Sequence, residues 1–493
     1  MSDNLAERTA SNAVFFLASQ IVTGVLSLVT IVMLPKFYGA TGIGVYHLGA
    51  SLWAIAALLI GFGTDVVITR EVARDRTRVS ELVSAGIFLR VIFHLAGFTA
   101  VAIFANLAGY APDTIQVVYI FGIANLIYQI GHIFNAALFG LEKIKLLAVV
   151  GIVTEVFINL GILVVIFSGR SIVAAASISI LAGFIRTVIL FWLIRKNTEL
   201  TFSLHYSTLP WLLREGMSIL LNRLLLTIYV QADVIIISLF VNETVVGWYS
   251  VADVAFGALV IIPNTIGTVL FPTMARLYEH DRERLTVVAR RALNIVLLFS
   301  VPVGLGILTV AHSLLILIVG NEFVNSSPVL AGFGIVTIFS SINIFLSQLL
   351  IAMNMQSRLS LLIAIAILLT LPIDLILIPW TQNVYGNGAI GGVISYLITE
   401  AFIMIGAFLT LPKGFFTRQN ASFALRVLIS GCVMVLVVWP LRDAFFLIPV
   451  LIGAGIYLMM AFAMLLISRE DVAFAQGVWQ RGWARLRGLA SAT

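Results

Sequence analysis

Blocks of about twenty consecutive apolar residues recur along the whole chain, and no other feature restricts its fold so severely. An α-helix rising ~1.5 Å per residue needs that length to cross ~30 Å of hydrocarbon. Inside a bilayer every backbone N–H and C=O must be satisfied within the protein, so only helices and closed barrels can span it. Barrel strands alternate in polarity over ~10 residues; the blocks here are continuous and about twice as long. Of the 493 residues, 61% are hydrophobic and 11% charged, against about 25% charged in a soluble domain. Too few charges remain to clothe a water-facing surface. The expected class is an all-α polytopic membrane protein, and a formal charge of +6 carries no nucleic-acid signal in that setting.

The blocks predict about fourteen spans. They lie near 12–33, 45–66, 83–106, 115–138, 146–167, 171–194, 213–239, 248–271, 288–310, 328–352, 359–379, 388–411, 422–440 and 445–467. The first is too long for a cleavable signal and reads as a retained span. Connections are short and rich in Gly, Asn and Ser, and the longest is 195–212. None is large enough for a soluble catalytic domain. The single cysteine, Cys432, lies within an apolar block, so no intrachain disulfide is available.

Positive charge is distributed asymmetrically between alternate loops. Of the 29 Lys and Arg, only Lys36, Arg170 and Arg442 fall on one side, while Arg90, Arg186 and Arg223 lie inside spans. All the others crowd the opposite side, including Arg70, Arg74, Arg76 and Arg78 after the second block and the cluster Arg276–Arg291 after the eighth. Loops rich in Lys and Arg stay cytoplasmic, so both termini and Thr198 are expected there, with Asn242 outside.

An internal repeat divides the chain. Gly44 and Tyr46 correspond to Gly247 and Tyr249, Gly63–Thr64 to Gly267–Thr268, and Ala73–Arg74 to Ala275–Arg276. Six spans separate the copies, so both keep one orientation. The organisation expected is an N-terminal lobe over 1–200, a C-terminal lobe over 207–411, two further spans over 420–468 and a cytoplasmic tail over 469–493. Transporters built from such repeats hold substrate between the halves near the bilayer midplane. The tail is basic, with Trp479 and Trp483 one turn apart, and reads as an amphipathic helix lying on the interface.

Four stretches carry a resemblance: `LPKFYGATGIGVY` (34–46), `GFGTDVVITREVAR` (61–74), `VGWYSVADVAFGALVIIPNTIGTVLFPTMARL` (246–277) and `GNEFVNSSPVL` (320–330). In these the chain resembles the polysaccharide transporters, or lipid-linked oligosaccharide flippases, of the multidrug/oligosaccharidyl-lipid/polysaccharide exporter superfamily. The resemblance implies two six-helix lobes with spans 1, 2, 7 and 8 around a cleft. It also implies alternating-access transfer of an isoprenoid-diphosphate-linked saccharide across the cytoplasmic membrane. Membrane lipids are the expected surroundings, and polysaccharide-biosynthesis enzymes the possible partners. An ion-coupled exporter of small drugs or metabolites shares the fold and is the competing reading; that class usually has about twelve spans. A membrane polymerase or ligase would need a large external loop, which this chain lacks.

Charges inside spans are the candidate site residues, because an Arg or Asp at a helix centre costs about 2.5–3.5 kcal/mol to insert. Arg223 is ~15 Å into its span. It reads either as a cavity cation for a diphosphate, whose oxygens suit the guanidinium fork, or as half of a structural ion pair with a carboxylate such as Glu155 or Glu400. Arg90, with His94 one turn on, lines a cavity or snorkels; Arg186 is expected to snorkel. Arg70 and Arg74 are topology charges or capture an anionic headgroup at the cleft mouth. Asp65, Glu155, Asp233, Asp253, Asp374 and Glu400 are structural partners of arginines or sites for ion coupling, with Glu155 and Asn159 the best local pair. Pro263, Pro272 and Pro302 interrupt helices and read as hinges or static kinks. Walker, metal-cluster and nucleophile motifs are absent. No cofactor is expected, and transport is expected to draw on H⁺, Na⁺ or the membrane potential.

Overall fold

The computed structural model describes residues 2–466, and among these it contains helices and no strands. The long helices are α1 (Ser2–Gly61), α3 (Val79–Leu107), α4 (Pro112–Gly140), α5 (Ile144–Phe167), α6 (Ile172–Asn197), α7 (Thr208–Phe240), α10 (Arg282–Val319), α11 (Ser327–Ala352), α12 (Gln356–Tyr385), α13 (Ala389–Thr410) and α14 (Arg418–Val438). Shorter ones are α2 (Thr64–Arg74), α8 (Glu243–Leu259), α9 (Ile261–His280) and α15 (Leu447–Ala463). Among the described residues, twelve segments are long and apolar enough to cross a membrane, and α15 is a further, shorter apolar helix. Their outer faces present large apolar side chains, such as Leu107 at 83% exposure and Leu409 at 81%, as a lipid solvent allows. The expected tail helix over 469–493 lies outside the described residues.

Sixty helical residues in one rod would be far longer than a bilayer is thick. α1 avoids this at Gly39, the one non-helical residue inside it, with φ 67°. The chain turns there into two helices, which correspond to the first two expected spans. A left-handed φ suits glycine, and a Cβ here would stand 2.3 Å from Glu322 Oε1, so the carboxylate would have to move to admit one. The same carboxylate accepts the N–H of Ala40 at 2.8 Å. It caps the open N-terminus of the second helix, where unpaired donors and the helix dipole favour an anion. The motifs around Gly39 and Glu322 are therefore two sides of one joint.

The repeat also has a physical counterpart. A Cβ on Gly44 would meet the carbonyl oxygen of Glu243 at 1.8 Å, and one on Gly247 would meet that of Ala40 at 1.9 Å. Between them, the hydroxyls of Thr41 and Thr244 lie 2.8 Å apart, 203 positions apart in sequence. Each residue meets the counterpart of its own partner, the reciprocity of a two-fold contact. Only glycine lets two backbones approach this closely.

By internal contacts the chain forms two compact units. One comprises Met1–Val254, Ile318–Val329 and Ile363–Thr399; the other comprises Ala255–Leu317, Leu330–Leu362 and Glu400–Thr493. In the first, α2 is fixed by a cluster including Ile68, Val72, Leu82, Ile133 and Leu138, and the Thr69 hydroxyl donates to the Ala136 carbonyl at 3.0 Å. In the second, α10 and α11 cross at Gly304 and Gly334, each filling the space a Cβ on the other would need. There α14 and α15 pack through Met434, Val438 and Tyr457, whose hydroxyl donates to the Leu298 carbonyl at 2.9 Å.

The Thr41–Thr244 contact predicts an efficient cross-link. With Cys432→Ser, a Thr41→Cys/Thr244→Cys protein should form a disulfide, since paired cysteines need Cα atoms within about 7 Å. After proteolysis in the 195–212 loop the two fragments should stay joined on a non-reducing gel. Fragments that separate would contradict the crossing.

Candidate functional site

Two successive left-handed residues, Phe62 (φ 50°) and Gly63 (φ 66°), end α1 and redirect the chain into α2. Contact with α7 makes this corner tight. A Cβ on Gly63 would lie 2.7 Å from the Gly216 carbonyl oxygen, and one on Gly216 would lie 2.2 Å from that of Phe62. The first turn of α2 is thus laid directly on α7, and Asp65 sits in that turn, where a helix N-terminus favours a carboxylate.

Three expected site residues converge here. Asp65 Oδ2 accepts from Arg223 Nη1 of α7 at 3.2 Å, while Asp65 Oδ1 is 3.8 Å from Arg90 Nη2 of α3. Arg90 is packed away, 3% exposed, and its Nη1 donates to the Gln129 side chain. Gln129 is itself held by the Ala57 carbonyl at 2.8 Å. Arg223 is different: its side chain is 46% exposed and Asp65 32%. The cluster holds two cations and one anion, with the outer guanidinium half exposed. The partner of Arg223 is therefore Asp65, not Glu155 or Glu400. Arg90 does not snorkel, because Gln129 and Asp65 hold its head among the helices. His94 stacks on Trp53 with ring centroids 5.4 Å apart.

Arg70 and Arg74 lie further along α2 in a separate network. Arg70 pairs with Glu215 of α7 at 2.7 Å and with Glu71 at 3.0 Å; Arg74 pairs with Glu71 at 3.1 Å. Arg186 places its guanidinium over the Tyr128 ring at 5.9 Å.

A second polar centre joins α7, α8, α12 and α13. Asp233, 1% exposed, accepts from the Tyr249 hydroxyl. Asp374 is fully buried, and by geometry neither of its oxygens has a hydrogen-bond partner among the described residues. Asp253 is half-buried one turn beyond Tyr249 on α8. The remaining candidates stand elsewhere. Asn159 donates to Glu155 Oε2 at 3.2 Å and bonds Thr30. Asn343 donates to Glu400 Oε2 at 2.5 Å. Of the prolines, Pro263 sits just past the break between α8 and α9, while Pro272 and Pro302 lie inside α9 and α10.

Sequence reasoning singled out Arg223, Arg90 and Asp65 but not their meeting, and it missed Gln129 and Tyr249 altogether. Tyr249 carried a usable signal, as the repeat partner of Tyr46.

Comparison with known proteins agrees with this architecture. The chain is similar over 92% of its length to the solved structure of lipid II flippase MurJ in an inward closed conformation, covering 98% of that chain with a TM-score of 0.72 at 15% identity. An inward-facing MATE family multidrug resistance transporter matches with a TM-score of 0.64 over 83% of this chain and 98% of its own, at 13% identity. At these identities the likeness speaks for the fold. A putative O-antigen transporter of Shigella dysenteriae is 26% identical over 71% of this chain and 87% of its own. The probable low-salt glycan biosynthesis flippase Agl15 of Haloferax volcanii is 22% identical over 72% and 74%. The model of the polysaccharide biosynthesis protein family matches residues 9–278, more than half of the sequence, and the chain belongs to that family.

Proposed function

We propose that this protein is a flippase, moving an isoprenoid-diphosphate-linked oligosaccharide or polysaccharide repeat unit across the cytoplasmic membrane by alternating access. The observation that carries this is Arg223, a half-exposed guanidinium midway along an apolar helix whose one ion-pair partner among the described residues, Asp65, is shared with a second arginine. A structural pair would be closed; this one leaves guanidinium donors without a partner among the described residues. A diphosphate supplies charge-assisted, forked hydrogen bonds of the kind that offset the insertion cost. The names of the O-antigen transporter and of Agl15 support the same substrate class. The two C-terminal apolar helices α14 and α15, which stand at the thirteenth and fourteenth expected spans, favour a lipid-linked substrate over a small drug. The protein acts as a carrier, not an enzyme. Both termini are cytoplasmic, and its partners are membrane lipids and the enzymes that build the saccharide. Residues 1–200 and 207–411 act as the two lobes, and Pro263, Pro272 and Pro302 give their helices room to bend.

Arg223→Ala should abolish complementation of a deletion strain while membrane levels stay normal, and Arg223→Lys should keep part of the activity. Full complementation by Arg223→Ala would remove Arg223 from the headgroup site.

Asp233 and Asp374 supply the coupling site for Na⁺ or H⁺ in this reading. In proteoliposomes, flipping by the native protein should respond to a gradient of one of these ions, and Asp233→Asn should flip at a rate indifferent to it. A variant that keeps the full gradient response would show that coupling resides elsewhere.

A further inference from the structure

We infer that Asp65 is the resident anion of the arginine site: it occupies Arg223 in the empty carrier and gives it up to the substrate's diphosphate. This rests on the reading of Arg223 as the headgroup residue, and it assigns Asp65 a positioning role there in place of ion coupling.

The geometry makes the exchange possible. Asp65 lies between a fixed arginine and an open one. Arg90 is 3% exposed and tied to Gln129, with its nearest nitrogen 3.8 Å from Asp65. Arg223, at 3.2 Å from the other oxygen, is 46% exposed. Removing one partner of a buried pair normally strands the other charge. Here Arg223 can turn away and Asp65 still has Arg90 as its counter-ion. A diphosphate can therefore take Arg223 without leaving a bare carboxylate in the hydrocarbon.

The exchange also ties loading to movement. α2 is bound into the N-terminal helices through Thr69, Ile68 and Val72. The Asp65–Arg223 pair joins that assembly to α7. Once diphosphate holds Arg223, α2 and α7 stay joined by the Gly63–Gly216 backbone contact, by the apolar cluster that Ile68 and Val72 share with Leu212, and by the partly exposed Arg70–Glu215 pair, which contributes little. Loading thus removes one of the links between these helices, the charge pair, and leaves the apolar ones in place. The carboxylate beside the bound headgroup also keeps affinity moderate, as a carrier that must let go on the far side requires.

The test is a titration of the purified full-length protein in nanodiscs with farnesyl diphosphate, alongside flipping in proteoliposomes. Asp65→Asn should bind the diphosphate at least tenfold more tightly than the native protein and flip more slowly. Asp65→Glu should stay near the native values, and Arg223→Ala should bind at least tenfold more weakly. Because Asp65→Asn leaves Arg90 uncompensated, an Asp65→Asn/Arg90→Gln protein, with the native cluster charge, serves as the second variant and should also bind more tightly. A general structural lesion would weaken binding, so the direction of the change is decisive. If the Asp65 variants bind no more tightly while Arg223→Ala binds more weakly, Asp65 is only scaffolding and the headgroup reading stands alone. If Arg223→Ala binds as the native protein does, the headgroup reading fails and this inference with it.

Discussion

A charge placed in hydrocarbon must be compensated by something within reach, and that demand organises the polar interior of this protein. Arg90, Asp65 and Arg223 come from α3, α2 and α7 and form one cluster, because an uncompensated charge among apolar helices is costly. The same demand brings Asp233 to the Tyr249 hydroxyl, and Glu155 to Asn159. What separates the first cluster from the others is its openness. Asp233 and Asp374 are buried, whereas the Arg223 guanidinium is half free.

Side-chain chemistry of this kind works only if the helices can come close, and glycine provides that. The crossings at Gly44 with Gly247 and at Gly63 with Gly216 bring backbone atoms where any Cβ would collide. Both draw α1 and its continuation into contact with α7 and α8. The Gly63 corner aims Asp65 at Arg223. The reciprocal crossing at Gly44 and Gly247 makes Thr41 meet Thr244, so the sequence repeat is also a contact surface.

Much of the architecture was legible beforehand because its causes are local. Block length gave the helices, and Gly39, Gly44 and Gly247 stood out in motifs whose spacing survives in the joint and the crossing. The site was legible only in pieces. Arg223, Arg90 and Asp65 each announced themselves as charges in apolar surroundings, yet Asp65 is 158 positions from Arg223 and no periodicity links them. Pairing across helices depends on which faces the glycine crossings turn towards each other, and that is a tertiary property. Glu155 and Glu400 looked like better partners because they lie near mid-span. Both instead serve asparagines, Asn159 and Asn343.

The central claim is that an open arginine in the membrane interior selects a diphosphate headgroup for transfer. Its most direct test uses proteoliposomes loaded with a fluorescent isoprenoid-diphosphate-linked disaccharide and an otherwise identical lipid in which the sugar is attached without phosphate. A membrane-impermeant quencher then reports how fast each lipid changes leaflet. The protein should accelerate the diphosphate lipid strongly and the neutral lipid little. Equal acceleration of both lipids, or transfer of neither above protein-free vesicles, would contradict the claim.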